Sequence, residues 1–368
     1  MPRRLHGLVS PPASAASPGI AAVLEQLLAG KDLDAATVER VFGAILDGAV
    51  TSAQVAAFAI ALRAKGETPA EIAAAARALR ARATTVRPIL AEGAPLLDTC
   101  GTGGDGAHTF NVSTVAAIVV AACGVTVAKH GNRAVSSRAG SADLVEALGI
   151  PLEGEAPEFD ARVLRSLETA HIAFLFAPRH HGALRHAAGA RRELGVRTVF
   201  NLLGPIANPA GATHQLVGVF EDRRRAMLAD VLRRLGGRAA WVVLAEPCEG
   251  APRGLDEVSP SSITRVTELR ADGSLHERQV HPTDLGLEPV SLDALRGGSA
   301  EDNAAIARDV LGGAPSAARV AVVLNAACAL VVAGVTTDLK EARARVEQAL
   351  DRGDAAATLE RWRAVMVG

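Results

Sequence analysis

A glycine-rich segment, Gly-Thr-Gly-Gly-Asp at residues 101–105, is the first stretch of the chain whose composition suits a chemical role. Glycine has no Cβ, so several main-chain N–H groups can approach one anion together. The segment follows an apolar run and precedes a helical pattern, an arrangement that directs N–H groups at the start of a helix towards phosphate. We therefore favour a phosphate-binding loop, with a plain strand-to-helix turn as the alternative.

Two polar clusters follow this loop. The first, Thr109–Thr114, places hydroxyl and amide side chains where the next helix should begin, so they could cap that helix, contact phosphate or bind Mg²⁺. The second cluster, Lys129–Ser141, is dense in hydrogen-bond donors. Its lysine can neutralise phosphate as a compact charge, whereas Arg133 could equally pair with a carboxylate. Together the clusters predict a site for a ligand that carries several phosphates.

Three further signals are weak by themselves. Arg191 and Arg192 point in different directions on a helix, so at most one faces a given cleft, where it could bind a carboxylate through two hydrogen bonds. The adjacent carboxylates 256–257 could hold Mg²⁺ that borrows oxygens from a diphosphate. For the arginines as well as for the two carboxylates, the alternative is ordinary exposed surface charge. The histidine pair 180–181 diverges on any regular element and lacks a carboxylate at ligand spacing, which argues against a metal site there.

The composition is that of a soluble globular protein. Of its 368 residues, 49% are hydrophobic and 21% charged, and the net charge of −1 favours neither a nucleic-acid nor a membrane surface. Four well-separated cysteines without CxxC spacing indicate buried free thiols in a reducing cytoplasm. No apolar run is long enough to span a membrane. Residues 1–18 are read as a disordered tail rather than a targeting peptide.

The periodicity changes along the chain. Residues 19–90 read as a small helical domain, in which 51–54 and 68–71 form capping boxes. Residues 91–368 alternate apolar runs with helical patterns, which predicts an α/β domain with a mostly parallel sheet. The predicted strands are 94–100, 124–131, 171–178, 214–220 and 239–247, and the main predicted helices are 33–46, 113–122, 142–148, 182–194, 222–235, 299–312, 317–334 and 338–365. The glycine loop and the lysine cluster both follow strands, where ligands of such sheets usually bind.

The linked motifs carry a family resemblance over about residues 20–365. They are GTGGDGAHTFNVST, KHGNRAVSS, GSADLVEALG, FLFAPRHHGALRHAAGARRELGVRTVFNLLGPIANPAG and GLDEVS, in that order. The chain resembles the anthranilate phosphoribosyltransferase family of tryptophan biosynthesis. The resemblance implies transfer of a phosphoribosyl group from phosphoribosyl pyrophosphate to the amine of anthranilate, which gives N-(5-phosphoribosyl)anthranilate and pyrophosphate.

The resemblance also implies an architecture. It is a small N-terminal helical domain plus a larger α/β domain of the nucleoside phosphorylase and phosphoribosyltransferase superfamily type, joined by a hinge. Parts of residues 178–205 are expected to pack on the helical domain, and the helical domains are expected to form a homodimer. Gly182 stands where the family commonly has proline, and His180 where an apolar or aromatic residue is common, so the shape of the acceptor route stays open.

Site residues follow from the same resemblance. Contacts with phosphoribosyl pyrophosphate are implied for Gly101, Gly104, Asp105, Thr109, Asn111, Val112, Ser113, Thr114, Lys129, His130, Gly131, Asn132, Arg133, Ala134, Val135, Ser136, Ser137 and Ser141. Contacts with anthranilate are implied for Gly101, Asn132, Arg191, His130 and His181. Mg²⁺ ligands are implied at Ser113, Asp256 and Glu257, with two ions per subunit held largely by the diphosphate.

The expected catalysis needs no protein acid or base. The aromatic amine of anthranilate is neutral at pH 7 and already nucleophilic, so Lys129 and Mg²⁺ would act mainly by stabilising the leaving pyrophosphate. Two rival interpretations are a pyrimidine nucleoside phosphorylase-like enzyme and a non-catalytic relative that binds nucleic acid. The near-zero net charge disfavours the second, as does the presence of all three implied metal ligands.

Overall fold

A seven-stranded sheet forms the centre of the computed structural model, which describes residues 19–103, 106–134 and 138–368. The strands are β1 Leu96–Gly101, β2 Thr126–Gly131, β3 Ile172–Phe176, β4 His214–Gly218, β5 Ala239–Ala245, β6 Thr264–Leu269 and β7 Leu275–Val280. Their order is β3-β2-β1-β4-β5-β6-β7, and the first five run parallel. The β6–β7 hairpin continues the sheet in antiparallel fashion.

Helices form the N-terminal part and cover the sheet. They are α1 Ile20–Leu28, α2 Ala35–Leu46, α3 Ser52–Lys65, α4 Pro69–Arg80, α5 Val112–Ala122, α6 Ser141–Ala147, α7 Glu158–Thr169, α8 Ala177–His180, α9 Arg185–Leu194, α10 Phe200–Ile206, α11 Asp222–Arg234, α12 Ala300–Leu311, α13 Ala317–Val332, α14 Leu339–Asp351 and α15 Asp354–Val367. Short 3₁₀ turns lie at Gly182–Leu184, Pro282–Leu285 and Leu292–Leu295. The predicted fold class, a helical N-terminal part plus a mostly parallel α/β part, is confirmed.

Most local predictions are confirmed. All five predicted strands are present, and both capping boxes form, with the side chains of Thr51 and Thr68 accepting from the N–H groups of Gln54 and Glu71. Several details were wrong or were not predicted, among them helices α7 and α10. The β6–β7 hairpin was not predicted, the region 338–365 is two helices separated at Gly353, where φ is +77°, and the segment from residue 182 begins as a 3₁₀ turn.

The chain returns to the helical bundle after β3. Helices α9 and α10 pack against α2, α3 and α4. The Phe42 ring lies 5.5 Å from that of Phe200 on α10, and Arg80 on α4 donates two hydrogen bonds to the carbonyl of Ile206. The same apolar cluster continues onto α11 and one face of β4 and β5. The bundle is thus joined to the sheet by a shared core as well as by chain connections.

The strand order creates a crevice at the carboxyl ends of the central strands. Connections run to opposite sides of β1, towards β2 and towards β4, and ligands of doubly wound sheets bind at such a reversal. Strands β1 and β2 pair only at Leu96↔Thr126 and Leu97↔Val127. By contrast, β1 stays paired with β4 as far as Gly101↔Gly218. Strands β1 and β2 therefore separate shortly before the predicted binding loops begin.

Two chain-wide expectations can be compared with the structure. Within the described ranges, no helix is both long and apolar enough to span a bilayer. All four cysteines are free, but only Cys328 is fully buried, so the expectation of buried thiols was right for that residue alone.

Candidate active site

The glycine loop is built around Asp256. Gly103 adopts a positive φ of 68° and donates its N–H to Asp256 Oδ2 at 2.6 Å. A Cβ on Gly101 would lie 2.6 Å from that carboxylate oxygen, and a Cβ on Gly218 only 1.5 Å from the Asp256 carbonyl oxygen. Two glycines on neighbouring strands thus make room for one acidic residue. The predicted contacts Gly104 and Asp105 lie outside the described residues.

Lys129 connects the strand ends to the first turn of α5. The side chain is buried, and its Nζ donates to the Thr99 carbonyl and lies 3.4 Å from Ser113 Oγ. The Ser113 N–H in turn donates to Glu257 Oε1 at 3.3 Å. The fold therefore brings the predicted leaving-group lysine next to Ser113, and Ser113 next to the segment 256–257. The three predicted Mg²⁺ ligands thus lie in one region, although they are distant in sequence.

The start of α5 presents hydroxyls that are not used for capping. Its N-cap residue, Asn111, makes no side-chain capping bond and donates instead to the Ala139 carbonyl at 3.3 Å. Thr102 Oγ1 and Thr114 Oγ1 are buried without a hydrogen-bond partner among the described residues. Buried hydroxyls normally have a partner, so these two are positions at which ligand oxygens could bind.

The loop after β2 is held by α6. A Cβ on Gly131 would collide with Ser141 Oγ, whose hydroxyl donates to the Asn132 carbonyl at 3.2 Å. The Arg133 guanidinium pairs with Asp143 at 3.0 Å and with Glu146. Its side chain therefore has the carboxylate partners that the sequence left open, and the Ala134 N–H also donates to Asp143. Val135, Ser136 and Ser137 lie outside the described residues.

Two neutral histidines lie side by side behind this loop. His130 Nδ1 is 2.9 Å from the Gly204 carbonyl, which can only accept, so Nδ1 carries the proton and Nε2 is an acceptor. That Nε2 is buried without a partner among the described residues. The His181 ring lies 5.0 Å away, and both its nitrogens are buried without a geometrically defined hydrogen-bond partner among the described residues, although the Ala207 backbone lies close to the ring.

Burial is the main cause of the neutrality of both rings. It lowers the pKa of His130 to about 3 and that of His181 to about 4, with a further contribution from neighbouring histidines. His180 has a different role, because its Nδ1 bonds to the Thr84 carbonyl at 2.7 Å and ties α8 to the segment after the bundle. The unusual histidine at position 180 is therefore a structural contact.

Arg191 is a half-buried cation without a carboxylate partner in the described parts of the chain. It lies 5.7 Å above the Phe200 ring, and burial lowers the pKa of its guanidinium. Its neighbour Arg192 is exposed, as expected for adjacent residues on a helix. Phe200 and Gly204 are one turn apart on α10, so Arg191 and His130 contact the same helix at adjacent turns.

Comparison with known proteins matches both parts of the chain. Residues 21–83 match the helical bundle domain of the glycosyl transferase family, and residues 93–356 match its a/b domain. Anthranilate phosphoribosyltransferase of Myxococcus xanthus is 51% identical over 332 residues, which are 90% of this chain and 94% of the relative. The chain belongs to the anthranilate phosphoribosyltransferase family.

Solved structures of this family share the fold. The anthranilate phosphoribosyltransferase of Thermus thermophilus is 43% identical with a TM-score of 0.85, covering 94% of this chain and 99% of its own. The enzyme of Saccharomyces cerevisiae in complex with PRPP and Mg is 27% identical with a TM-score of 0.85, covering 96% and 99%. The yeast enzyme has also been solved in complex with 4-fluoroanthranilate.

Several residues around the candidate site were not predicted from the sequence. They are Asp98, Thr102, Asn208, Gly218 and Asn303. A carboxylate within an apolar strand and a glycine inside a strand are both recognisable signals, because each is unfavourable there without a local reason. Asn303 gave no such signal, yet it donates to Asn111 Oδ1 at 3.0 Å and so supports the start of α5.

Proposed function

We infer that this protein transfers the phosphoribosyl group of phosphoribosyl pyrophosphate to the amine of anthranilate, releasing pyrophosphate. Family membership supports this reaction over the phosphorylase and nucleic-acid-binding alternatives. The observation that carries it is the meeting of Lys129, Ser113 and the 256–257 carboxylates at the end of β1. In addition, Arg191 lies close to α10 without a carboxylate partner among the described residues. The first group suits a diphosphate, and the arginine suits the carboxylate of the acceptor.

The donor is proposed to lie across the glycine loop and the start of α5. Main-chain N–H groups, the Thr102 and Thr114 hydroxyls and Lys129 would bind its phosphates. As the bond from the anomeric carbon to pyrophosphate breaks, negative charge grows on the leaving oxygen. Lys129 is buried and already held in place, so it would stabilise that charge without a large rearrangement. The remaining predicted donor contacts stay proposals.

The same crevice fits Mg²⁺ by its donor chemistry. Ser113, Asp256 and Glu257 offer only oxygens, which are the ligands that Mg²⁺ prefers, and they are brought together by the contacts of Gly103 and Ser113. Three side chains are fewer than an octahedral ion needs, so diphosphate and water would supply the other ligands. When bound, the metal would neutralise charge on the departing pyrophosphate. We propose two ions per subunit.

Anthranilate is proposed to bind between α9, α10 and the loop after β2. Arg191 would pair with its carboxylate, and the unpartnered Nε2 of His130 would accept a hydrogen bond from its amine. A group whose pKa is about 3 binds a proton weakly, so His130 would orient the amine rather than deprotonate it. Asn132, His181 and Gly101 are proposed to line the same route.

Assembly and domain motion are further proposals. Leu28 on α1 is an exposed large apolar side chain, as is Ile60 on α3, which supports a homodimer through the helical bundle. We also propose that residues 19–90, with parts of 178–205, move as a unit about a hinge relative to residues 91–368. Light scattering of the purified protein at several concentrations tests the dimer.

The reaction is tested by following anthranilate fluorescence. With phosphoribosyl pyrophosphate and Mg²⁺ present, the folded protein should consume the fluorescent amine and release an equal amount of pyrophosphate. Omitting Mg²⁺ should slow the loss, and Glu257→Gln should change its Mg²⁺ dependence. A folded protein that leaves the fluorescence unchanged under all conditions would contradict the assignment.

A further inference from the structure

The separation of β1 and β2 leaves main-chain groups that need other partners. Beyond Leu97↔Val127 the two strands no longer pair, while β2 stays paired with β3 as far as Gly131↔Phe176. Residues 128 and 130 alternate with 129, so their N–H and C=O groups face the same side, towards β1. Buried main-chain groups that lose a strand partner must find another donor or acceptor.

Three side chains supply those partners. Asp98 Oδ1 accepts from the His130 N–H at 3.1 Å, and Asn208 Nδ2 donates to the Ala128 carbonyl at 2.7 Å. The third is the Lys129 ammonium, which donates to the Thr99 carbonyl of β1. Side chains thus replace the main-chain hydrogen bonds between the separated ends of β1 and β2. One of these side chains is Lys129, which is proposed to stabilise the leaving group.

Asp98 and Asn208 also hold each other. Asn208 Nδ2 donates to Asp98 Oδ2 at 2.8 Å, and both residues are almost completely buried. The orientation of the Asn208 amide is fixed, because its Oδ1 accepts from the Ala210 N–H at 2.9 Å while its Nδ2 faces the Ala128 carbonyl. The side chain at position 98 must therefore accept the hydrogen bond from the Asn208 NH₂ group.

We propose that Asp98 and Asn208 are positioning residues that act through Lys129. They keep the ends of β1 and β2 apart and fix the main chain on both sides of the lysine, so that its ammonium stays between Thr99 and Ser113. The negative charge of Asp98 also lies close enough to attract that ammonium. Burial raises the pKa of Asp98 to about 6, so the carboxyl is mainly ionised at neutral pH.

A conservative substitution should disturb this arrangement. In Asp98→Asn, the new amide could keep one acceptor for the His130 N–H, but its NH₂ would then face the NH₂ of Asn208. A flip of Asn208 would break its bonds to Ala128 and Ala210. The variant therefore replaces one hydrogen bond with a donor–donor conflict and removes a charge, with almost no change in volume.

The test is a double-mutant cycle, and it rests on the proposed role of Lys129. We expect Asp98→Asn to lower kcat by about tenfold or more in the natural chain, and by less than about twofold in a Lys129→Met background. Asn208→Ala should show the same non-additivity. If Lys129→Met turns over too slowly to measure, the same cycle is made with the Kd for phosphoribosyl pyrophosphate and Mg²⁺ from calorimetry.

Glu71→Gln provides the matched control. Glu71 is a fully buried carboxylate in the helical bundle, bonded to Lys65 and the N–H groups of Leu33 and Thr68. Its amide variant should lower Tm without changing kcat. Equal fold-changes of Asp98→Asn in both backgrounds, or a lower Tm with unchanged kinetics, would overturn this inference while the reaction stands. Natural turnover by Lys129→Met would instead overturn the proposed role of the lysine.

Discussion

The two proposed halves of the site, one for the phosphoribosyl donor and one for the acceptor, differ in how their charged groups are arranged. The donor half lies at the ends of β1 and β2, where Lys129, Asp256 and Glu257 already contact main-chain groups or hydroxyls. The proposed acceptor half lies between α9, α10 and the end of β2. There, in the described chain, the His130 and His181 rings have nitrogens without a hydrogen-bond partner, and Arg191 has no carboxylate partner. The donor half is preorganised for a highly charged group, while the acceptor half offers one cation in neutral surroundings.

This difference matches what each half is proposed to do. Stabilising a leaving pyrophosphate requires charges and dipoles that are in place before the bond breaks. Positioning a neutral amine requires orientation, which a buried neutral imidazole with a free acceptor nitrogen can provide. Substitutions in the donor half should therefore lower kcat most, and substitutions in the acceptor half should mainly change the KM for anthranilate.

The largest effect is expected for Gly218→Ala in the donor half. Its Cβ would lie 1.5 Å from the Asp256 carbonyl oxygen, so the 256–257 segment must move. We expect kcat to fall by about a hundredfold or more, since Mg²⁺ ligands and leaving-group stabilisation are displaced together. Gly189→Ala is the control, because its Cβ would meet nothing within 4 Å, and it should retain activity. A Gly218→Ala enzyme with natural kcat would contradict the role of this contact.

A smaller and more selective effect is expected for Arg191→Ala. Loss of a two-hydrogen-bond ion pair with the acceptor carboxylate should raise the KM for anthranilate by about ten- to a hundredfold. Steady-state kinetics with each substrate varied in turn measure this. Arg192→Ala, at an exposed neighbouring position, should leave both KM values unchanged. Equal changes in the KM for anthranilate in the two variants would contradict a role of Arg191 in binding the acceptor.

The smallest effect concerns pH and stability, and it has opposite signs in the two halves. The pKa of His181 is lowered from 6.5 to about 4. Its contribution to the free energy of unfolding is therefore present above pH 6.5 and is lost as the pH falls towards 4. The pKa of Asp98 is raised from 3.8 to about 6. Its contribution to the free energy of unfolding is therefore present below pH 3.8 and is lost as the pH rises through 6.

Calorimetry of two variants separates these contributions. Between about pH 7 and pH 5, His181→Gln should reduce the loss of Tm on acidification relative to the natural chain, and Asp98→Asn should increase it, each by roughly 2 °C or more. The comparison uses differences in Tm between the two pH values for each protein, which cancels the general destabilisation of a variant. Shifts of the same sign would show that the two halves do not differ in this way.

The sequence was more informative about the donor half. Glycine loop, helix start and lysine cluster lie within one stretch, and the β1–α5–β2 rhythm predicts that they meet at one edge of the sheet. The pairing of Asp98 with Asn208, 110 residues later, could not be read from spacing, nor could the approach of Asp256 to Gly218. Such contacts depend on which strands separate and which stay paired.

The acceptor half and the sheet edge show other limits of the sequence. Arg191 was one of two candidate arginines, and only packing of α9 on the bundle shows which is half-buried. The β6–β7 hairpin was missed because β7 is a polar edge strand, although Asp272-Gly273 between two short runs is a turn signal. The region 338–365 is divided into α14 and α15 by the positive φ of Gly353, which the composition of the segment does not reveal.

Donor binding to two variants tests the division of the site most directly. Calorimetric titration with phosphoribosyl pyrophosphate and Mg²⁺ compares Lys129→Met with Arg191→Ala, both without anthranilate. We expect Lys129→Met to weaken binding by about tenfold or more, because a buried charge-assisted contact is lost, and Arg191→Ala to bind with the natural Kd. Equal Kd values for the two variants, whether both weakened or both natural, would contradict a donor half and an acceptor half with separate roles.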